Sequence, residues 1–219
     1  MPRTALLAGA SGLVGGHCLR RLLADDAYER VTTLGRRTLP LMHPKLVQRT
    51  LEFHRLADLP DFPRARDVFC CLGTTMKQAG SAEAFYRVDF THVYELARLA
   101  ARHGAQQFLL VSAIGAHPRS WIFYNRVKGE VEEAVARLPF KGIHIFRPSL
   151  LLGDRGEHRP GERLAAAVMP ALAFVLVGPL RKYRSILAED VAAAMTRVAR
   201  EERPGVHVYQ GASLSSRGG

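Results

Sequence analysis

The stretch "TALLAGASGLVGGHCLRRLL", residues 4–23, is the most informative part of the sequence for the fold. It places three glycines between an apolar run and an amphipathic one. The apolar run has the composition of a buried strand. The following segment, residues 15–26, predicts a helix with Leu19, Leu22 and Leu23 on one side. Strand, glycine-rich turn and helix in this order form the context that a dinucleotide-binding fingerprint requires.

The three glycines, Gly9, Gly12 and Gly15, stand three residues apart, unlike the G-x-G-x-x-G of many dehydrogenases. They still supply the same physical features. Glycine permits a sharp turn and lets backbone N–H groups approach a pyrophosphate with no Cβ in the way. The N-terminus of the helix adds favourable partial charge. The pattern favours phosphate binding over its alternative, a tight turn that holds no ligand.

The end of the second predicted strand reads "GRR", with Arg36 and Arg37 where an acidic residue would otherwise hold a ribose 2′-hydroxyl. Two guanidinium groups suit a 2′-phosphate by charge and by their forked geometry. The alternative is a pair of solvated surface arginines, which is common in a basic chain. Together with the glycine loop, the two arginines favour NADP (NADPH) as the cofactor over NAD.

Short apolar runs alternate with amphipathic stretches along the rest of the chain. Strands are predicted at residues 4–10, 30–36, 46–53, 67–73, 106–115, 142–153 and 205–211. A long helix is expected between an N-cap at Ser81 and Gly104, and further helices at 123–138 and 187–201. This order predicts an α/β fold, a doubly wound parallel sheet (Rossmann fold), as a single domain over residues 1–219. Residues 153–187 break the alternation and are expected to form a small C-terminal insertion on the substrate side.

The candidate catalytic residues follow the fifth predicted strand. Ser112 stands at the end of that strand, and Tyr124 and Lys128 are four residues apart on the next helix. Residues i and i+4 share a helix face, so both side chains can reach one spot. An ammonium group near a phenol favours the phenolate, and a serine hydroxyl can hydrogen-bond a substrate oxygen. The alternatives are a surface pair on a helix and an ordinary loop serine.

Seven motifs together resemble one known family: "GASGLVGGHCLRRLL", "CCLGTTMKQAGS", "FYRVD", "VSAIGA", "YNRVKGEVE", "FRPSLLLGDR" and "RPGERL". They resemble the short-chain dehydrogenase/reductase superfamily in its atypical or extended branch, and within it the Tat-interacting-protein-like oxidoreductases. The motifs cover roughly three quarters of the chain, up to about Arg163. The resemblance implies a Rossmann-type fold and NADP(H) binding.

The resemblance also implies roles for individual residues. The pyrophosphate loop consists of Gly9, Ser11, Gly12, Leu13, Val14 and Gly15. Arg36 and Arg37 contact the 2′-phosphate, and the residues that line the cofactor farther along are Leu72, Gly73, Thr74, Pro148 and Ser149. Ser112, Tyr124 and Lys128 match the family's catalytic residues. Tyr124 and Lys128 also belong to the cofactor site, where Lys128 hydrogen-bonds the nicotinamide ribose.

One position departs from the family pattern. Many relatives have an asparagine on the central helix that completes a proton relay, and this chain has Asp89 in "YRVDF". The departure leaves the four-residue relay open, with a backbone or water relay as the alternative. Asp58 is a candidate for a hydrogen bond to adenine, although a surface position is the simpler interpretation.

Composition excludes several other classes of protein. The chain has 219 residues, 47% of them hydrophobic, and a formal charge of +11 that is scattered rather than concentrated in a tail. No specific nucleic-acid motif is recognised. The three cysteines, Cys18, Cys70 and Cys71, lack metal-ligand spacing, so no metal site is expected. The apolar stretch at residues 164–178 contains Pro170 and is short for a bilayer span; it suits core, a pocket wall or a contact in a homo-oligomer. No membrane association is expected, and the expected location is the cytoplasm.

Two functions agree with these observations. The favoured one is an NADP-dependent oxidoreductase that transfers a hydride between NADP(H) and a small carbonyl or alcohol substrate, with Tyr124 as acid/base. The alternative is a catalytically quiet NADP(H)-sensing protein whose occupancy controls a partner-binding surface. The Tyr124 and Lys128 pair favours the enzyme, because a pure sensor has no need of it.

Overall fold

The centre of the molecule is a seven-stranded parallel sheet. The computed structural model describes residues 3–59, 61–152 and 186–214. The strands of the sheet are β1 (Arg3–Ala8), β2 (Tyr28–Gly35), β3 (Leu46–Thr50), β4 (Asp67–Cys70), β5 (Gln107–Val111), β6 (Gly142–Arg147) and β9 (Gly205–Gln210). Their order across the sheet is β3-β2-β1-β4-β5-β6-β9. A separate parallel pair joins β7 (Leu151–Leu152) to β8 (Ile186–Leu187).

Helices cover both faces of the sheet. The longer ones are α1 (Leu13–Ala24), α4 (His92–Arg102), α5 (Phe123–Ala136) and α6 (Ala188–Glu201), and the short ones are α2 (Met76–Ala79) and α3 (Ala82–Tyr86). Two 3₁₀ turns lie at Phe53–Asp58 and Gly211–Leu214. Among the described residues, no helix combines the length and the apolar character that crossing a bilayer requires.

The alternation of side chains along the strands divides the core into two layers. Leu6 and Leu7 are adjacent in β1 and fully buried, yet they belong to opposite hydrophobic clusters. The cluster of Leu7 contains residues of α1 and α6, and that of Leu6 contains residues of α4 and α5. A strand covered on both faces needs a continuous apolar sequence, as in "DVFC" of β4. The predicted doubly wound parallel sheet is confirmed.

The long helix predicted between Ser81 and Gly104 is interrupted. Ser81 does cap α3, since its hydroxyl accepts the backbone N–H of Ala84 at 3.0 Å. Between α3 and α4, however, the residues Arg87–Thr91 form a π-helical turn. Such wide turns are frequent at functional sites. This one carries the buried Asp89.

The strand predicted over residues 142–153 is wrong in its second half. β6 ends at Arg147, and Pro148 follows it. Proline has no N–H to donate to a sheet ladder, so the strand ends there. The chain forms β7 only at Leu151–Leu152. The predicted insertion falls outside the described residues up to 185, as does Pro170, and both remain predictions.

The chain leaves β1 towards β2 and β3 on one side, and β4, β5 and β6 lie on the other side. The connections that follow β1 and β4 therefore run to opposite sides of the sheet, and the strand order reverses between these two strands. In open parallel sheets, ligands bind at such a switch point, outside the carboxyl ends of the strands. The glycine loop directly follows β1, so it lies at this position.

The amino ends of four strands meet in a buried polar network. Asp67 is fully buried and accepts hydrogen bonds from the Arg3 guanidinium at 2.9 Å, the Tyr28 hydroxyl at 2.8 Å and the Gln107 amide at 2.7 Å. Gln107 also contacts Nε2 of His144 at 3.2 Å. Burial, together with the nearby His207 and Arg203, lowers the pKa of His144 to about 4.

The buried His144 predicts a pH-dependent stability. A histidine whose pKa is about 4 when folded and about 6.5 when unfolded stabilises the fold above pH 6.5. That contribution, up to about 3 kcal/mol, is lost as pH falls from about 6.5 to about 4, because the unfolded state then binds more protons. Urea unfolding should therefore show that the difference in free energy of unfolding between wild type and His144→Gln becomes smaller as pH falls across this window. The exposed His54→Gln variant should follow wild type, and a gap independent of pH would contradict the assignment.

Candidate active site

The glycine loop forms a cradle that larger side chains would fill. Gly9 has φ +84°, and a Cβ added there would lie 2.4 Å from the Cys71 carbonyl oxygen. A Cβ on Gly15 would lie 2.1 Å from the carbonyl oxygen of Gly9. Gly12 caps α1 without a side-chain hydrogen bond, so the first N–H groups of the helix have no side-chain acceptor there. This is the backbone arrangement that binds phosphate.

The loop borders a cavity of about 740 Å³ at the carboxyl ends of β1 to β4. The predicted residues that line it are Gly9, Ser11, Gly12, Arg36, Arg37, Leu72, Gly73 and Thr74. Leu13, Val14 and Gly15 are not in the lining. Val14 is buried in the core, and Leu13 packs against that core while only partly buried.

The end of the cavity beside β2 and β3 is strongly basic. Arg49, from β3, joins Arg36 and Arg37 in the lining, and Arg87 approaches from the π turn. Glu52 is the single carboxylate among the described residues that line this cavity. Three guanidinium groups at the ends of two strands suit a doubly charged phosphate.

Several residues that line the cavity were not predicted from the sequence. They are Gln48, Arg49, Thr50, Glu52, Phe53, His54, Arg87 and His92. The rule that pointed to Arg36 at the end of β2, applied again to β3, would have found Arg49 and Glu52. Asp58 is instead exposed at the end of the 3₁₀ turn Phe53–Asp58, 3.8 Å from Arg55, and is not in the lining.

The inward face of α5 carries Tyr124, Lys128 and Glu132 at intervals of four residues. Lys128 is buried, and its Nζ lies 2.7 Å from Oδ1 of Asp89. Burial lowers the pKa of Lys128, but Asp89, Tyr124 and Cys70 together outweigh burial and raise that pKa above its ordinary value. Tyr124 is half-buried, and its ring packs against Phe85 at 5.4 Å between centroids.

Ser112 belongs to a second buried cluster one turn farther along α5. Its hydroxyl donates a short hydrogen bond to Oε1 of Glu132. The guanidinium of Arg147 donates to both oxygens of Glu132, with Nε at 3.0 and 3.2 Å. The Ser112 hydroxyl is therefore hydrogen-bonded to a side chain of α5, and its proton points to Glu132 rather than to the cavity.

The structure brings the predicted residues together in part. Gly73 lines the cavity and adjoins Lys128, since an added Cβ on Gly73 would lie 3.6 Å from Lys128 Nζ. Ser112, Tyr124, Lys128, Pro148 and Ser149 lie outside the cavity lining. The carbonyl of Pro148 accepts the N–H of Ile114 at 2.9 Å, which ties the loops after β5 and β6. No group of three or more possible metal ligands occurs among the described residues.

Comparison with known proteins places the chain in a family. Residues 5–210 match the model of the NAD dependent epimerase/dehydratase family. The chain belongs to this family. Its relatives include Protein HTATIP2 of Rattus norvegicus, 40% identical over 167 residues, which are 74% of this chain and 69% of that protein. The resemblance to the extended short-chain dehydrogenase/reductase branch is thus confirmed, and a nicotinamide dinucleotide is the supported class of cofactor.

Solved structures confirm the fold at low sequence identity. MoeE5 in complex with UDP-glucose and NAD superposes with a TM-score of 0.70 at 16% identity, covering 96% of this chain and 79% of that one. Human epimerase family protein SDR39U1 with NADPH has a TM-score of 0.64 at 18% identity, covering 97% and 75%.

The expected cytoplasmic location is wrong. The relative from Candida glabrata, 37% identical over 73% of this chain and 68% of its own length, is named Protein FMP52, mitochondrial. The relatives from Emericella nidulans and Candida albicans are named mitochondrial as well. These names point to mitochondria, and composition alone contained no signal that could have revealed this.

The cradle geometry predicts different effects for two neighbouring glycines. Gly15→Ala places a methyl group 2.1 Å from a backbone oxygen, so the loop must shift, and dinucleotide binding should weaken at least ~10-fold. Gly16→Ala is the matched control, because its added Cβ would lie 3.6 Å from the nearest atom, an ordinary contact. Fluorescence titration with NADPH and NADH measures both variants. Equal affinities in the two would exclude the loop as the phosphate site.

Proposed function

We propose that this chain is an NADP(H)-dependent oxidoreductase that acts on a small carbonyl or alcohol substrate, with Tyr124 as acid/base. The observation that carries the proposal is the continuity of the site. One cavity runs from the glycine cradle to Arg36 and Arg37, and its wall at Gly73 adjoins Lys128 on the helix that bears Tyr124. The partners we propose are the dinucleotide and a small-molecule substrate, with no specific nucleic acid or membrane partner.

The preference for NADP over NAD rests on the charge at the β2 and β3 ends. Related folds hold either cofactor, as MoeE5 with NAD and SDR39U1 with NADPH illustrate. This chain has Arg36 and Arg37 after β2 and Arg49 in β3, and all three line the cavity. A ribose 2′-hydroxyl offers these cations no charge, whereas a 2′-phosphate does.

The roles of the remaining residues follow from their surroundings. The bound cofactor supplies or accepts the hydride. Tyr124 holds the proton that the substrate oxygen gains or loses, and the Lys128 ammonium holds the nicotinamide ribose and favours the phenolate of Tyr124. The Ser112 hydroxyl donates its hydrogen bond to Glu132, so its oxygen offers lone pairs to a substrate hydroxyl. Pro148 and Ser149 follow β6 and border the nicotinamide in this proposal.

A second function is favoured by a specific observation. Ser112 is 5% exposed and already hydrogen-bonded to Glu132, and it lies outside the cavity lining. A protein that senses NADP(H) without turnover would keep Tyr124 and Lys128 for ribose binding and would need no serine facing a substrate. Tests of the cofactor and of turnover distinguish the two functions.

Charge reversal at the end of β2 tests the cofactor preference. Arg36→Glu should weaken NADPH binding at least ~10-fold and leave NADH binding within about twofold, because only the 2′-phosphate meets the new carboxylate. Titration of both dinucleotides measures the ratio. Arg30→Glu is the control, since Arg30 is exposed on β2 outside the cavity lining. Equal affinities of wild type for NADPH and NADH would count against the role of Arg36 and Arg37.

Removal of one hydroxyl tests the acid/base assignment. A screen of carbonyl and alcohol compounds, followed by NADPH absorbance, identifies a turnover assay. In that assay Tyr124→Phe should lose at least ~100-fold in rate and keep NADPH affinity within about threefold, because general acid–base catalysis contributes that much. Tyr86→Phe is the control on the neighbouring helix. Unchanged turnover in Tyr124→Phe would refute the assignment, and no turnover of any compound by wild type would favour the sensing function.

A further inference from the structure

Asp89 occupies the π turn between α3 and α4 and is completely buried. A buried carboxylate is costly unless charges or hydrogen bonds compensate it. Its two oxygens are compensated differently, Oδ1 by an ion pair without a hydrogen bond and Oδ2 by a hydrogen bond. Oδ1 lies 2.7 Å from Nζ of Lys128, and Oδ2 accepts the backbone N–H of Thr74 at 2.9 Å. One carboxylate therefore joins the ammonium on α5 to the loop that lines the cavity.

The contact lies directly behind the cavity wall. An added Cβ on Gly73 would lie 3.3 Å from Oδ1 of Asp89 and 3.6 Å from Nζ of Lys128. Gly73 itself lines the cavity. The absence of a side chain at Gly73 thus leaves the ion pair within van der Waals distance of the cavity surface, where Lys128 can reach a bound ribose.

Among the described residues, three titratable groups face the Lys128 ammonium: Asp89 from the π turn, Tyr124 from its own helix and Cys70 from β4. Burial raises the pKa of the Cys70 thiol to about 12, so that thiol is uncharged near neutral pH. A buried lysine without a counter-charge tends to lose its proton, since burial lowers its pKa. Asp89 is therefore the carboxylate that counters burial at this site.

We propose that Asp89 is a positioning residue that holds Lys128 protonated and fixed against the loop of Leu72, Gly73 and Thr74, so that Lys128 can bind the cofactor ribose. The proposal rests on the dinucleotide-binding part of the proposed function. It gives Asp89 a role different from that of a relay asparagine, because Asp89 compensates the charge of the lysine by direct contact. It also explains the π turn, which places this carboxylate between α5 and the loop after β4.

The test is NADPH affinity as a function of pH, from pH 6 to pH 10, followed by fluorescence. Asp89→Asn keeps the shape of the side chain and removes its charge. Because the pKa of Lys128 in wild type lies above its ordinary value, wild-type affinity should stay level from pH 6 to pH 10. We expect Asp89→Asn to bind NADPH as wild type does at pH 6 and to lose affinity within this range, with about tenfold weaker binding one pH unit above its own midpoint. Lys128→Met should lack this limb, and adding Asp89→Asn to Lys128→Met should change nothing further.

The outcomes distinguish a failure of the role of Asp89 from a failure of NADPH binding itself. A vertical offset that is equal at every pH, or a curve identical to that of wild type, overturns the role of Asp89 while NADPH binding stands. Failure of wild type to bind either dinucleotide overturns the proposed function and this inference with it. Asp58→Asn is the control, because Asp58 is exposed and is not part of the cavity lining.

A second measurement covers an unstable variant. If Asp89→Asn does not fold, its thermal unfolding is compared with that of the double variant with Lys128→Met. Folding of the double variant alone supports the proposal, because the penalty then lies in the unpaired ammonium. Equal instability of the two overturns the proposal.

Discussion

The arrangement of the site depends on two buried ion pairs along the inward face of α5. Lys128 meets Asp89, and one turn farther Glu132 meets Arg147. A buried charge that loses its partner costs several kcal/mol, so each ion pair fixes the positions of the elements that supply its two residues. Their partners come from different elements, the π turn and β6. The helix that bears Tyr124 is thereby held in one rotation against the sheet.

The same constraint reaches the cofactor cavity through the backbone. Asp89 accepts the N–H of Thr74, and the carbonyl of Cys71, three residues earlier, packs so closely on Gly9 that a Cβ has no room there. The glycine cradle, the loop after β4 and α5 thus form one chain of contacts. Each contact is short and either polar or sterically exclusive, so packed structure rather than a flexible loop sets the separation between the glycine loop and Tyr124.

The sequence predicted what depends on local pattern. Apolar runs in β1, β4 and β5 and the glycine spacing fixed the sheet and the cradle, because periodicity and turn chemistry are local. The pairing of Asp89 with Lys128 joins residues 39 positions apart and has no periodic signature. Glu132 resembles one more polar residue of an amphipathic helix, yet it is buried. The predicted strand extended past Arg147 because the leucines after Pro148 continue the apolar pattern. The observed strand ends at Arg147 because Pro148 has no N–H to donate to the sheet.

The direction of one hydrogen bond limits how Ser112 could contact a substrate of the proposed oxidoreductase. Arg147 donates to both oxygens of Glu132, and the carboxylate accepts a hydrogen bond from the Ser112 hydroxyl. A hydroxyl has a single proton to donate and two lone pairs. While this hydrogen bond to Glu132 persists, Ser112 can only accept, so in the proposed oxidoreductase it suits a ligand that carries a hydroxyl of its own. An alcohol meets that requirement directly, whereas a carbonyl would have to draw the serine proton away from a carboxylate that is itself paired to a cation.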